Sequence, residues 1–414
     1  MRLRLLALAL CWVAAAPARA AWLDRLDRGL GVASRDGVFR ADLSGLLDLE
    51  GYYVDQRPPG LIFGGDSGFV NPRLTLFLDT RLGTHLYGFV ETRFDRGFDP
   101  RSRFAAAHLD AYLLRWTPLD DARVNLQAGK FATLVGSWVP RHDSWNNPFV
   151  NAPLPYENVT IISDGSAPAD AAAFLARRDL PDRKRDWVPV VWGPSYTTGA
   201  AIFGRVARLD YAAEVKNAAL SARPQAWDAT QRGFDQPTAS GRLGWRPAPA
   251  WVLGASFSSG PYLRDRARRT LAADQEPGDF RETLVGADAS FAWRHLQLWA
   301  EFLAARFAVP LAGGPRRSSG SEDADTAAWY VEGRYKFTPE WFGALRWNQQ
   351  VFGDVSDGRG GERAWDRNAW RVDTAVGYRF HRRLQAKLQY DVGQQAGRLQ
   401  QGEQLVAAQL TLRF

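Results

Sequence analysis

The clearest pattern in this chain is a strict alternation of apolar and polar residues over windows of about ten to fifteen residues. The window FRADLSGLLDLEGYY collects Phe39, Ala41, Leu43, Leu47, Leu49 and Tyr53 on one parity, and Arg40, Asp42, Ser44, Asp48 and Glu50 on the other. The windows 70–82 and 384–392 alternate in the same way. A period of two predicts β-strands with one apolar face, whereas a helix repeats about every 3.6 residues.

Reading the whole chain for this alternation predicts sixteen strands, near 38–54, 70–82, 86–95, 104–116, 124–131, 195–206, 209–217, 238–246, 251–259, 283–293, 296–307, 326–337, 341–350, 369–380, 384–392 and 404–414. Short connections such as PAPA, RH and TPE alternate along the chain with longer polar connections that are rich in Gly, Asp and Arg. This regular alternation is typical of an outer-membrane barrel, in which periplasmic turns are short and extracellular loops are long. A free edge strand cannot be satisfied in lipid, so the last strand must pair with the first. The sequence therefore predicts an all-β fold, a closed antiparallel transmembrane β-barrel of about sixteen strands over 38–414.

Aromatic residues support this interpretation by their position beside the short turns. Those on the apolar parity of their strands are Trp245, Trp251, Trp293, Phe337, Trp341 and Phe380. Amphipathic aromatic rings settle at the interface between membrane and water, so these residues predict a periplasmic-side aromatic girdle. Trp116 breaks the parity of its strand, and we interpret the break as a β-bulge.

The beginning of the chain predicts export. Arg2 and Arg4 precede an apolar run over 5–16, and residues 18–20 form a small-x-small cleavage site, so residues 1–20 read as a signal peptide. The apolar run is shorter than the roughly 20 residues that a membrane-spanning helix needs. Residues 21–37 then form a periplasmic N-terminal segment, either a short helix or an unstructured leader.

Composition agrees with an exported barrel. Cys11 is the only cysteine, so the mature chain has no disulfide bonds and its stability must come from elsewhere. The net charge of +7 falls to +4 without the signal peptide, which gives no reason to expect a nucleic-acid partner. Mean hydropathy is −0.32 although aromatic residues make up 13% of the chain. A transmembrane barrel combines these two properties because polar residues alternate with apolar ones.

Four short motifs then suggest a family. They are LQAGKF (126–131), YVEGRYKF (330–337), VGYRF (376–380) and the terminal Phe414. With them the chain resembles the Gram-negative outer-membrane porin superfamily of the sixteen-stranded type, and within it the phosphate-selective-porin-like branch. The resemblance implies a water-filled channel for small hydrophilic solutes, contacts with outer-membrane lipid and lipopolysaccharide, and a last aromatic residue, here Phe414, that the barrel-assembly machinery reads as a signal. A homotrimer is left open.

The connection over 132–194 is the region that we expect to carry function. It runs about sixty residues without a strand pattern, and loops of that length are usually functional or disordered. It is the third long connection, and in the family the third external loop folds into the barrel and narrows it. Candidate constriction residues are Asp143, Trp145, Glu157 and Asp164. A loop folded outside, as a lid or an oligomer latch, is the alternative.

Inward-facing charges would form the opposing wall. The resemblance implies basic wall residues across from an acidic loop, and the candidates on the inward parity are Arg93, Lys130, Arg242, Arg346 and Arg371. Charged rings set ion selectivity in a pore. Because inward acids and bases are nearly balanced, we expect at most a weak charge preference.

The solute class stays open at this stage. A phosphate-selective pore is expected to carry a dense cluster of lysines. Lysine is scarce here, with five among 52 basic residues, which argues against phosphate selectivity. Aromatic residues of the long loop could instead stack on sugar rings.

No motif predicts catalysis, a metal or a cofactor. GGDSGF (64–69) is rich in turn residues, the five histidines lack an H-E-x-x-H spacing, and DVSDGRGGE (354–362) fails the calcium-loop pattern. We therefore expect an outer-membrane porin for passive diffusion rather than an enzyme. A substrate-selective porin, or a plugged barrel with a structural or enzymatic role, remains the alternative.

Overall fold

The computed structural model describes residues 30–55, 60–62, 67–95, 106–121, 123–180, 186–224, 234–311, 320–395 and 403–414. The expected signal peptide and the first part of the expected periplasmic segment lie outside the described residues. Of that segment, residues 31–33 form neither a helix nor a free leader, because they pair as a short strand with the first barrel strand.

The described chain is built almost entirely of strands. Their bounds are β1 Gly31–Ala33, β2 Phe39–Val54, β3 Gly68–Leu82, β4 Leu86–Asp95, β5 Ala106–Trp116, β6 Asn125–Phe131, β7 Val159–Ser163, β8 Trp187–Pro189, β9 Thr197–Val206, β10 Leu209–Lys216, β11 Thr238–Trp245, β12 Trp251–Pro261, β13 Arg281–Trp293, β14 Leu296–Leu311, β15 Gly320–Lys336, β16 Trp341–Phe352, β17 Asp354–Ser356, β18 Glu362–Ala364, β19 Ala369–His381, β20 Leu384–Gln395 and β21 Glu403–Arg413. Two short α-helices, α1 (Leu154–Glu157) and α2 (Ala171–Ala176), lie in the third long connection. Within the described ranges, every helix is too short or too polar to cross a membrane.

Sixteen of these strands form one closed antiparallel barrel, which confirms the predicted fold class. Neighbours in sequence pair with one another from β2 to β6, β9 to β16 and β19 to β21, with β6 joined to β9 and β16 to β19. The ring closes where β21 pairs with β2, from Leu46 opposite Arg413 to Val54 opposite Leu405. Every barrel strand therefore has a hydrogen-bonding neighbour on both sides.

Most predicted strand bounds agree with the structure to within a few residues. The largest difference is the hairpin of β14 and β15, which continues to Leu311 and begins again at Gly320. In the added part of this hairpin Arg306 pairs with both Asp323 and Asp325. There the parity is reversed, because the inward side chains Phe307, Val309 and Ala324 are buried in the apolar core while the charged side chains face outward.

Side-chain parity follows the predicted pattern. Trp245, Trp293 and Trp341 have 50%, 56% and 46% of their surface exposed, as expected for residues that face lipid. The predicted bulge is present, because the β4–β5 register shifts where Glu91 lies opposite Ala111 and Thr92 opposite Leu109. The additional residue in β5 moves Trp116 to the outer face.

The main apolar core lies inside the barrel. It is formed by the third long connection together with external loops and the upper parts of the wall, and includes Trp138, Tyr156, Ile162, Phe174, Trp192, Tyr262, Phe307 and Trp365. The outer face of the barrel is apolar as well. On the inner wall, charged side chains that the core covers need partners, because burying an unpaired charge is costly; these partners are other wall residues, the loop or water.

Candidate functional site

The third long connection, residues 132–196, enters the barrel immediately after β6. Its two ends are joined by a hydrogen bond from the Thr133 amide to the Pro194 carbonyl, with an N···O distance of 2.9 Å. Between them, β7 and β8 pair as a small antiparallel two-stranded sheet and α1 lies against β15 and β16. We call this segment the inner loop.

Two buried arginines of the wall hold the inner loop. The Arg346 guanidinium donates to the Asn151 side-chain oxygen at 2.8 Å and to the Ala152 carbonyl at 3.1 Å. The Arg371 guanidinium donates to the same Ala152 carbonyl at 2.6 Å and forms an ion pair with Glu157. Burial raises the pKa of Glu157 above its ordinary value, and the positive charge of Arg371 opposes this shift. These residues fix the first half of the loop on β16 and β19.

A lysine on β20 holds the preceding part of the loop. The Lys387 ammonium donates to the backbone carbonyls of Ser144, Asn147 and Phe149 at 2.9, 3.0 and 3.0 Å. An ammonium has three N–H donors, so this side chain uses all of them on one turn of the loop. The loop backbone is therefore shaped around a single wall residue.

Contacts with β14 and β15 complete the attachment. Arg141 pairs with Glu332 at 2.5 Å, and its guanidinium also lies 4.4 Å from the centre of the Trp299 ring. The Tyr156 hydroxyl donates to Glu301 at 2.6 Å. Further hydrogen bonds join the inner loop to Glu214 on β10 and Ser256 on β12, so it is bound mainly along the wall from β10 to β20.

The basic wall candidates occupy different environments. Arg346 and Arg371 touch the loop directly, so they do not face it across an open pore. Arg242 pairs with Asp288 at 2.5 Å, and the Lys130 ammonium donates to the Leu109 carbonyl at 2.6 Å. Arg93, on β4, lines the space that the inner loop leaves open.

The candidate residues of the inner loop also lie in different places. Glu157 contacts the wall, whereas Asp164 pairs at 2.6 Å with both Arg264 and Arg266 of an external loop and does not line the open space. Trp145 lies at the periplasmic end, between the guanidiniums of Arg379 and Arg413, with ring distances of 5.2 and 5.1 Å.

Asp143 is the loop candidate that lies at the open space. Its carboxylate accepts hydrogen bonds from the amides of Trp145 and Asn146 at 2.8 and 2.9 Å, and so it caps a turn of the inner loop. It borders the open space on the side opposite the wall of β2–β5.

Open space remains on the side of the barrel away from the attachment. A cavity of about 150 Å³ lies between the inner loop and the wall of β2–β5. A second hollow of about 480 Å³ lies towards the periplasmic end, where its lining includes Arg382, Arg383 and Arg413. Leu46, Phe77 and Asp143 line both spaces, which are therefore adjacent. We call the cavity and the hollow together the lateral passage.

A hydrogen-bonded group of three side chains lines the cavity. The Tyr196 hydroxyl lies 3.1 Å from a Glu91 carboxylate oxygen and 3.0 Å from Nε2 of His142. Nδ1 of His142 lies 2.7 Å from the Val139 carbonyl, which fits a neutral ring with its proton on Nδ1. Nε2 is then an acceptor, so it competes with Glu91 for the one proton of the Tyr196 hydroxyl. Burial lowers the pKa of His142, so the neutral ring is favoured at pH 7.

Several site residues were not singled out from the sequence. Lys387 and Gln389 lie on the inward parity of β20, and that parity is the only sequence signal for them. Asn151 bonds to Arg346, Gln389 and Asp391, contacts that span about two hundred positions. No local pattern identifies such a residue.

Phe414 lies at the closing seam. Its amide and carbonyl form a pair of hydrogen bonds with Gly45 at 3.0 and 2.9 Å. A Cβ atom on Gly45 would lie 2.5 Å from the Phe414 ring, so the glycine leaves the space that the terminal ring occupies. A role in assembly remains a prediction.

A closed barrel of sixteen antiparallel strands, with its third long loop inside, is the fold of the outer-membrane porins. The outer-membrane channel DcaP of Acinetobacter baumannii aligns with a TM-score of 0.61 at 13% identity, over 93% of this chain and 99% of that one. An anion-selective porin from Comamonas acidovorans aligns with a TM-score of 0.56 at 11% identity, over 91% of this chain and all of that one. For Salmonella typhi OmpF, in a complex with daunomycin, the TM-score is 0.55 at 12% identity, over 92% of this chain and all of that one.

These identities establish a shared fold and nothing finer. No protein-family profile and no curated protein matches the sequence.

Proposed function

We propose that this protein is an outer-membrane porin that lets small hydrophilic solutes or ions diffuse passively through the lateral passage. The observation that carries the proposal is the position of the inner loop. It is held against β14–β20 by Arg346, Arg371 and Lys387, and it leaves adjacent open spaces along β2–β5. A loop attached mainly along one part of the wall narrows the barrel, and the cavity and the hollow show that it does not fill the whole cross-section.

The dimensions favour small solutes. A water molecule needs roughly 10–15 Å³ of cavity volume by this kind of measure, so the cavity of about 150 Å³ holds a short file of waters. Hydrated ions and small polar molecules fit such a space, whereas an oligosaccharide does not. The carbohydrate alternative is therefore less favoured, and so is phosphate selectivity, since Arg346, Arg371 and Lys387 are occupied by the loop.

Assembly and location follow from the same fold. A Vibrio cholerae OmpT structure in its trimer form aligns with a TM-score of 0.53 at 9% identity, over 91% of this chain, which supports a homotrimer here. Outward apolar residues such as Leu243 and Leu345, exposed by 66% and 57%, fit contact with lipid or with a second copy. Outer-membrane lipid, lipopolysaccharide and the barrel-assembly machinery complete the proposed partners.

Planar-bilayer recording tests the channel. The purified protein, checked for a heat-modifiable barrel, is expected to give stepwise conductance increments. A folded barrel that gives no increments contradicts the proposal.

A plugged barrel is the second candidate, because the inner loop contributes many apolar residues to a core inside the lumen. Deleting residues within 136–192 separates the two cases. If conductance appears only after the deletion, the intact protein is a plugged barrel with another role.

A further inference from the structure

The basic residues of the inner wall are unequally available to a solute. Where the inner loop is attached, Arg141, Arg346 and Arg371 lie among Glu157, Glu332 and Asp373, and each arginine is in an ion pair. These groups are buried under the loop, with exposures of a few per cent. They bind the chain to itself and contribute little field to open water.

The open side has a different balance. Five carboxylates line the cavity, Asp48, Glu91, Asp110, Asp143 and Glu157, against two arginines, Arg73 and Arg93. Each of these arginines already faces two acids. Arg73 pairs with Asp48 and Glu50, and Arg93 pairs with Asp95 and Asp110. In these ion pairs the acids outnumber the arginines, and Lys387 near Asp48 and Glu50 and Lys130 near Asp110 offset part of the excess negative charge.

Two carboxylates of the cavity have no cationic partner. Among the described residues, no lysine or arginine lies within ion-pair distance of Glu91 or Asp143. Glu91, on β4, lies 3.1 Å from the Tyr196 hydroxyl and accepts its proton when the carboxylate is ionised, and Asp143, on the inner loop, accepts from backbone amides. One belongs to the wall and the other to the loop, so they approach the passage from both sides.

We propose that Glu91 and Asp143 make the lateral passage selective for cations. This inference rests on the proposed channel function. A narrow space with low-dielectric walls concentrates the field of its charges, so unpaired carboxylates there raise the local concentration of cations and lower that of anions.

The arginines of the periplasmic hollow do not reverse this preference. Arg382, Arg383 and Arg413 line a space of about 480 Å³, roughly three times the volume of the cavity. Salt screens charges across wider water-filled spaces more effectively. The narrow part therefore sets the selectivity, and the hollow affects entry from the periplasm.

The test is the reversal potential of single barrels in a KCl gradient. Recordings at pH 9 ensure that the buried Glu91 carboxyl group is ionised. The variants are Glu91→Gln and Asp143→Asn, which keep the hydrogen-bond acceptors and remove the charges. The control is Glu362→Gln, which removes the same charge from the exposed external strand β18.

The wild type is expected to show a higher permeability for K⁺ than for Cl⁻. Each cavity variant should lower that ratio by roughly threefold, as expected for one charge removed several ångströms from the ion path in water. The control should leave it unchanged. Stepwise conductance with an anion preference, or with a ratio that neither cavity variant alters, would overturn the inference while the channel function stands. Absence of conductance in the wild type would instead overturn the proposed function.

Discussion

Replacing Lys387 by methionine tests whether the wall holds the inner loop in place. The substitution keeps the length of the side chain and removes the ammonium that donates to the carbonyls of Ser144, Asn147 and Phe149. Lys387 is only 3% exposed, so water does not readily take over these three bonds.

The size of the effect follows from these contacts. A hydrogen bond to a charged group contributes about 1.5–3 kcal/mol, and burying the ammonium offsets part of that gain. Taking about 1 kcal/mol for each bond, the attached position of the loop loses about 3 kcal/mol. At about 1.4 kcal/mol for each factor of ten, the detached state becomes roughly a hundredfold more populated.

Single-channel recordings measure this population directly. We expect the Lys387→Met barrel to show frequent transitions between conductance levels and a higher open-channel noise than the wild type. Lys336→Met is the matched control, because Lys336 lies on the inward face near the periplasmic turn and does not contact the loop. If both variants are folded and show the same noise and conductance levels as the wild type, the three hydrogen bonds from Lys387 do not hold the inner loop in place.

Three further expectations concern the seam and an external loop. Deleting Phe414 should reduce the yield of heat-modifiable barrels strongly while the conductance of barrels that form stays unchanged; normal insertion would exclude the assembly signal. Gly45→Ala should reduce the yield as well, because its Cβ meets the Phe414 ring, whereas Gly68→Ala, whose Cβ would make only an ordinary contact of 3.8 Å with the Tyr52 carbonyl, should not. Burial raises the pKa of Asp366 to about 7, and its carboxyl accepts from the Ile161 amide at 3.0 Å. Because the folded pKa is raised, its contribution to stability is fully present below about pH 4 and is lost as the pH rises through about 7. Hydrogen exchange at residues 159–163, corrected for intrinsic rates, should therefore speed up between pH 5 and pH 8, and Asp366→Asn should remove that change; equal pH dependence in both proteins would refute the assignment.

The sequence determined the barrel because the barrel's environment repeats along the chain. Lipid outside and water inside impose a period of two on every strand, and the turns at the two ends differ in length. Even the break in alternation at Trp116 predicted a real feature, because one additional residue in β5 forms a bulge and changes the parity. Counting the strands and their long connections along the sequence also placed the longest loop third in order.

The environment of each charge was decided only by the tertiary structure. Parity places Arg346, Arg371 and Lys387 inside the barrel, but it does not say whether they face water or the loop. Asp164 shows the same limit, since Arg264 and Arg266, a hundred positions away, hold it outside the passage. Counted along the sequence, the inward acids and bases are nearly equal in number, which predicts a weak preference of the pore for cations or anions.

Folding separates these charges. Arg346, Arg371 and Lys387 are used to attach the inner loop, and Glu91 and Asp143 are left without a lysine or arginine partner beside the open space. The physical reason is that a buried backbone carbonyl or carboxylate needs a donor, and the inner loop takes its donors from strands that lie hundreds of residues away. The alternating pattern determined which side chains point inward. The path of the loop decided which of them a solute meets.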